Sequence, residues 1–209
     1  PLHELTKICQ QTETLLLVDD AHGFGVLGKT GAGSLEQHEI RVGNGVLMLG
    51  TLGKAAGSFG AFIAGDAVYI DSLIQHARPY IYTTALPPSI AAATLAAIEI
   101  FQSEPERRGK LNSNIEYFRQ AIDNLHLNAL DSKTAIQPIL LGDSETALRA
   151  TKLLQQQGLW ITAIRPPTVP TGTARIRITI SSEHRQSDLD QLIEALSSDA
   201  MLALTETAQ

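Results

Sequence analysis

The residues of this sequence best suited to chemistry are an aspartate, a histidine and a lysine. Asp19 and His22 stand in the run Val18-Asp19-Asp20-Ala21-His22-Gly23-Phe24-Gly25, and Lys54 follows in Thr51-Leu52-Gly53-Lys54. Lys54 is flanked by Leu52, Gly53, Ala55, Ala56 and Gly57, all apolar or small. Those neighbours predict a desolvated amine, ready to lose its proton and form a Schiff base. A carboxylate at a strand end can hold a proton on a pyridine nitrogen, and an imidazole further round the turn can hydrogen-bond a phenolic oxygen. Together these are the parts of a pyridoxal 5'-phosphate site, where a protonated ring drains charge from a carbanion. Taken singly, each residue has a plainer explanation, since strand-end aspartates cap loops, lone histidines are mostly structural and most lysines are solvated. In this order and spacing, the three favour the chemical reading.

The run from Gly23 to Thr30 also satisfies the P-loop pattern literally, and its first six residues satisfy the dinucleotide pattern GxGxxG. Both patterns depend on a helix that aims its first N–H groups at phosphate, and Gly31, Ala32 and Gly33 discourage one. Asp19 and Asp20 would also oppose a polyphosphate. A nucleotide-binding module using Gly23 to Thr30 is therefore a secondary alternative, behind a plain loop.

The elements that must position these groups are read from apolar periodicity. Leu2, Leu5, Ile8 and Cys9 recur at helical spacing, and residues 14–19 form an apolar run ending in acid, as a buried parallel strand would. Five glycines between Gly23 and Gly33 predict a loop. Short β-like runs at 46–50 and 60–64 lie on either side of Lys54, and 66–76 reads as a helix. Pro87 and Pro88 are placed to open a long alanine-rich helix ending near Gln102, and Pro105 to start another. The pattern then becomes strand (136–141), helix (144–157), strand (160–164), strand (174–180) and helix (187–196). The boundary between two domains is expected near residues 104–110, giving 1–104 and 105–209, the second a compact α/β domain.

Composition narrows the possibilities. With 209 residues and a net charge of −6, the chain can bury a core, and its scattered basic residues give no electrostatic footprint for nucleic acid. No apolar run reaches the roughly 18 residues of a transmembrane helix, and no signal-peptide pattern opens the chain, so a cytoplasmic location is expected. The single cysteine, Cys9, excludes an internal disulfide and is expected to pack in a core. The absence of an initial methionine suggests a fragment. No metal ligand set is proposed.

Four segments carry a resemblance to a known family: Val18 to Gly23, Thr51 to Lys54, Ile81-Tyr82-Thr83-Thr84-Ala85-Leu86-Pro87-Pro88 and Ala163-Ile164-Arg165-Pro166-Pro167-Thr168-Val169-Pro170. In order and over nearly the whole chain, they resemble the α-oxoamine synthases. The resemblance implies an α/β fold of the aspartate-aminotransferase type, here part of the large parallel-sheet domain plus a small C-terminal α/β domain. It also implies pyridoxal 5'-phosphate and a reaction that joins an amino acid to an acyl thioester.

By the same resemblance, Asp19 partners the pyridinium, His22 the phenolic oxygen and Thr51 the cofactor phosphate, while Lys54 is the Schiff-base lysine. Thr84 reaches the phosphate of the neighbouring subunit in a homodimer with a shared active site. Arg177 binds the amino-acid carboxylate, Arg165 is a weaker substrate-carboxylate candidate, and Arg175 is read as a structural strand-edge group. The Arg-Pro-Pro-Thr-Val-Pro stretch most resembles members that take L-alanine and a pimeloyl thioester. Members that use glycine with acetyl-CoA or succinyl-CoA usually carry a tyrosine before that first proline. Complete members have roughly another half before this segment, so the fragment alone is expected to lack part of the site.

Overall fold

The computed structural model describes residues 1–125 and 127–206. The chain divides into two compact units, 1–105 and 106 onward. In the first unit, helix α1 (Leu2–Gln11) precedes β1 (Leu16–Asp19), a glycine-rich loop and the one-turn helix α2 (Ser34–Gln37). Then come β2 (Val46–Thr51), β3 (Ala61–Ala64), α3 (Ala67–His76), the short α4 (Arg78–Ile81) and α5 (Pro88–Ser103).

Strands β1 and β2 run parallel, in register from Leu16 opposite Val46 to Asp19 opposite Leu49, and β3 adds antiparallel to β2. Gly50 lies opposite Phe62, whose ring covers the space a side chain at Gly50 would need. The core of this unit is built from Val18, Val46, Met48 and Leu35 of α2, with Leu2, Leu16, Phe24, Ile40 and Phe62 packed against it.

Two expectations for this unit are corrected. Residues 14–19 are not a fully buried strand: β1 is an edge strand of a three-stranded sheet, and Leu15 and Leu17 are 46% and 53% exposed on its uncovered face. Cys9 is only half-buried, because α1 contributes no buried residue and its apolar Leu5 and Ile8 face outward. Helix α5 begins at Pro88, where a missing N–H costs nothing, and it too has no buried residue despite its apolar sequence. The short helices α2 and α4 escaped the periodicity reading because four residues are barely one turn.

The second unit begins with α6 (Glu106–Asp123), followed by β4 (Ile136–Gly142), α7 (Ser144–Gln156), β5 (Thr162–Ile164), β6 (Ala174–Thr179), α8 (Gln186–Leu196) and α9 (Asp199–Glu206). Its sheet has the order β4-β6-β5, antiparallel throughout. Strand alternation sends Ala174, Ile176 and Ile178 into the core and leaves Arg177 exposed on the opposite face. Leu111, Ile115, Phe118 and Ile122 recur along one face of α6 and are all buried.

Asn114, also on α6, donates to the carbonyls of Ser181 (2.9 Å) and His184 (3.1 Å), fixing the β6–α8 connection. Strand β5 is shorter than expected and Trp160 is 85% exposed. The chain is still leaving α7 there: Gly158 has φ +80°, and Leu159 N–H returns to the Leu154 carbonyl. Helix α9 was not foreseen, although its Met201 is fully buried. No described helix is long and apolar enough to cross a membrane.

Asp143 caps α7, its carboxylate accepting from the N–H groups of Glu145 (2.8 Å) and Thr146 (2.9 Å) and from the Thr146 hydroxyl (2.7 Å). The bond from the Thr146 N–H is the leading reason that its pKa lies below the ordinary aspartate value. A depressed carboxylate contributes stability above its unfolded pKa and loses it as pH falls through the folded one. Asp143→Ala should therefore lower the thermal midpoint at neutral pH, and melts in strong acid should show wild type and variant converging.

Candidate active site

The chemically suited residues of the first unit gather at the C-terminal ends of β1 and β2, where open α/β sheets place their sites. Asp19 ends β1 and Thr51 ends β2, while His22 and Lys54 follow on the two adjoining loops. Lys54 Nζ lies 3.1 Å from His22 Nε2. The Asp19 carboxylate accepts from the Ala21 N–H (3.0 Å), and the Thr51 hydroxyl donates to the Gly60 carbonyl through a long bond of 3.3 Å.

The lysine loop is tight. Lys54 C=O accepts from Gly57 N–H (2.9 Å), Leu52 C=O from Ser58 N–H (2.8 Å), and Gly60 C=O from Leu52 N–H (2.9 Å). The Ser58 and Thr94 hydroxyls, 2.9 Å apart, tie the loop to α5.

The histidine loop is held by a residue that the sequence reading considered only as a repulsive charge. Consecutive strand residues point to opposite faces, so Asp20 joins Leu16 and Val18 on the core side while Asp19 joins the exposed Leu15 and Leu17. Asp20 is 3% exposed. Its carboxylate accepts from the Ser34 N–H at 2.6 Å and from the Ser34 hydroxyl, closing the loop across fourteen residues. A Cβ at either Gly23 or Gly33 would overlap this carboxylate. Gly25, at φ +81°, lets the loop approach the lysine turn, where a Cβ would meet that of Ala55 at 2.9 Å and the Phe101 ring at 2.6 Å. The alternation Leu16, Val18, Asp20 was the available signal for this role.

The desolvated lysine is a further correction. Lys54 is exposed, since small neighbours in a turn do not enclose a long side chain, and of those neighbours only Ala56 is buried. The nucleotide alternative also fails on geometry. Residues 21–31 form turns and bends, no helix starts at Lys29 or Thr30, and the N–H groups of Thr30 and Ala32 are already taken by the Glu36 carboxylate at 3.0–3.2 Å.

Thr84 is exposed in the segment joining α4 and α5. Arg177 and Arg165 belong to the second unit: Arg177 sits on β6 opposite Pro138 and Thr162, and the exposed Arg165 precedes a cis Pro166-Pro167 bond. Arg175 donates through Nε to the Thr173 carbonyl at 2.9 Å, in keeping with a structural role. No cluster of potential metal ligands occurs among the described residues.

The family model for aminotransferase class I and II matches residues 1–196. The chain belongs to this aminotransferase family. It is 51% identical over 196 residues to the 8-amino-7-oxononanoate synthase of Thioalkalivibrio sulfidiphilus, covering 94% of this chain and 50% of that one. The chain thus spans about half the length of the curated relatives it matches. A serine palmitoyltransferase from S. paucimobilis, solved with a bound PLP-myriocin aldimine, superposes with a TM-score of 0.87 at 26% identity, covering 100% of this chain and 51% of its own. The 8-amino-7-oxononanoate synthase of Francisella tularensis gives 0.79 at 32% identity, covering 97% and 58%. The aminotransferase-family chain therefore has the fold of the pyridoxal-phosphate-dependent transferases, as its sequence resemblance implied.

Because the Asp20 carboxylate fills the space between two glycines, Gly23→Ala should destabilise the protein by roughly 1–3 kcal/mol, the usual cost of overpacking. Chemical denaturation measures this directly. An unchanged midpoint would mean that the loop is not held as described.

Proposed function

We propose that the intact protein is an 8-amino-7-oxononanoate synthase. In this reading, a pyridoxal-phosphate-dependent C-acyltransferase of biotin biosynthesis condenses L-alanine with pimeloyl-CoA, or a pimeloyl-carrier thioester, with loss of carbon dioxide. The observation that carries it is the 3.1 Å contact of Lys54 Nζ with His22 Nε2, beside Asp19 at the ends of two parallel strands. The choice of substrates follows relatives of that name at 46–51% identity. On this reading residues 1–104 are the C-terminal part of the cofactor-binding large domain and 105–209 the small domain. A cytoplasmic location follows from the same reading.

An amine, a carboxylate and an imidazole at the ends of adjoining strands fit pyridoxal phosphate. When bound, that group supplies a sink for the electrons left on the substrate α-carbon. The Asp19 carboxylate keeps a proton on the ring nitrogen, and its exposed position leaves the second oxygen free of the Ala21 contact. His22 hydrogen-bonds the phenolic oxygen. Thr51 binds the phosphate, and in a homodimer Thr84 of each subunit serves the neighbouring site. Lys54 Nζ would hold the cofactor, and its amine would take the α-proton of L-alanine. Arg177 makes no ion pair among the described residues, so its planar guanidinium is available for the two-pronged grip of an amino-acid carboxylate. Arg165 is a second contact for a substrate carboxylate.

The test uses the full-length protein with pyridoxal phosphate, borohydride reduction and peptide mapping. Label on Lys54 is expected, together with 8-amino-7-oxononanoate from L-alanine and pimeloyl-CoA. Product from glycine with acetyl-CoA or succinyl-CoA instead would reassign the substrates to a glycine C-acetyltransferase or a 5-aminolevulinate synthase. Asp19→Asn should lower kcat by about 100-fold or more while cofactor is retained, a loss typical of removing one electrostatic partner of developing charge. Equal activity would remove Asp19 from its assigned role.

A further inference from the structure

The Lys54–His22 contact constrains where protons sit. Lys54 Nζ lies 3.1 Å from His22 Nε2, within hydrogen-bond reach, and because a lysine ammonium has only donors, Nε2 is the acceptor whenever the lysine is charged. The same line is the path along which the lysine can be deprotonated. Both backbones are fixed independently, His22 by the Asp20 carboxylate on Ser34 and Lys54 by the closed turn from Leu52 to Gly60.

We propose that His22 is the proton acceptor for Lys54 when the lysine captures the aldehyde of pyridoxal phosphate. The proposal rests on the cofactor reading above and adds a second role to the hydrogen bond assigned to His22 there. A proton passes from Lys54 Nζ to His22 Nε2, freeing the nitrogen lone pair, which forms a bond to the aldehyde carbon while the carbonyl π electrons move to oxygen. The nitrogen gives up one further proton to that oxygen. The resulting hydroxyl takes the proton held by His22 and leaves as water, so a C=N bond replaces the C=O bond and His22 ends neutral, as it began.

The experiment follows the rate at which cofactor-free full-length protein acquires borohydride-trapped pyridoxal phosphate on Lys54, comparing wild type with His22→Gln. Glutamine can still accept a hydrogen bond from the lysine but cannot take its proton. Capture by H22Q is expected to be at least tenfold slower, to reach the same final labelling, and to regain speed when imidazole is added. The same final labelling shows that the site is intact. Equal rates would overturn the proposal and leave the cofactor reading standing, as would a slow rate that imidazole does not raise, which makes His22 a positioning residue. No label on Lys54 in either protein would overturn both.

Discussion

The arrangement of the site depends on one buried carboxylate. Asp20 sits between two glycines and closes a fourteen-residue loop onto Ser34, with one of its bonds at 2.6 Å. Hydrogen bonds to a charged acceptor contribute about 1.5–3 kcal/mol each, and a buried N–H left without its partner costs a similar amount. The closure therefore adds a strong anchor to a glycine-rich loop whose Phe24 packs edge-on against Phe62 and Phe101. Because Asp20 is anchored inward, strand alternation turns Asp19 outward, and the turn between Asp20 and Gly25 carries His22 to the lysine.

Much of this was legible in the sequence because the signals were of the kind that backbone geometry enforces. The helix starting at Pro88, the loop of five glycines, the alternation along 174–179 and the order of the second unit all appear where periodicity and proline position indicate. Lys54 and His22 lie thirty-two residues apart; their types and order indicated a shared site, but no local pattern encodes the contact between their loops. Asp20 was hidden by its neighbour: two adjacent aspartates look alike in one dimension, and only the pleat separates an exposed one from a buried one. The exposure of Lys54 shows a limit of composition, because small neighbours leave a long side chain uncovered.

The glycine-rich loop illustrates why short motifs mislead. Its spacing matches two phosphate-binding patterns, yet the N–H groups of Thr30 and Ala32 are turned onto the Glu36 carboxylate and that of Gly28 onto the Gln37 side chain. Glycine is needed here for close approach to Asp20, Phe101 and Ala55. Identical spacing thus serves a different physical purpose.

The first unit also carries an outward-facing apolar surface: Leu15 and Leu17 beside an edge strand, Leu5 and Ile8 on α1, and Leu95 and Ile100 on an α5 with no buried residue. An edge strand offers unpaired backbone groups to any similar strand, and exposed apolar side chains attract their like. Handled alone at high concentration, this polypeptide is therefore a colloidal hazard. Catalysis would have to be judged from material shown by light scattering to be monodisperse.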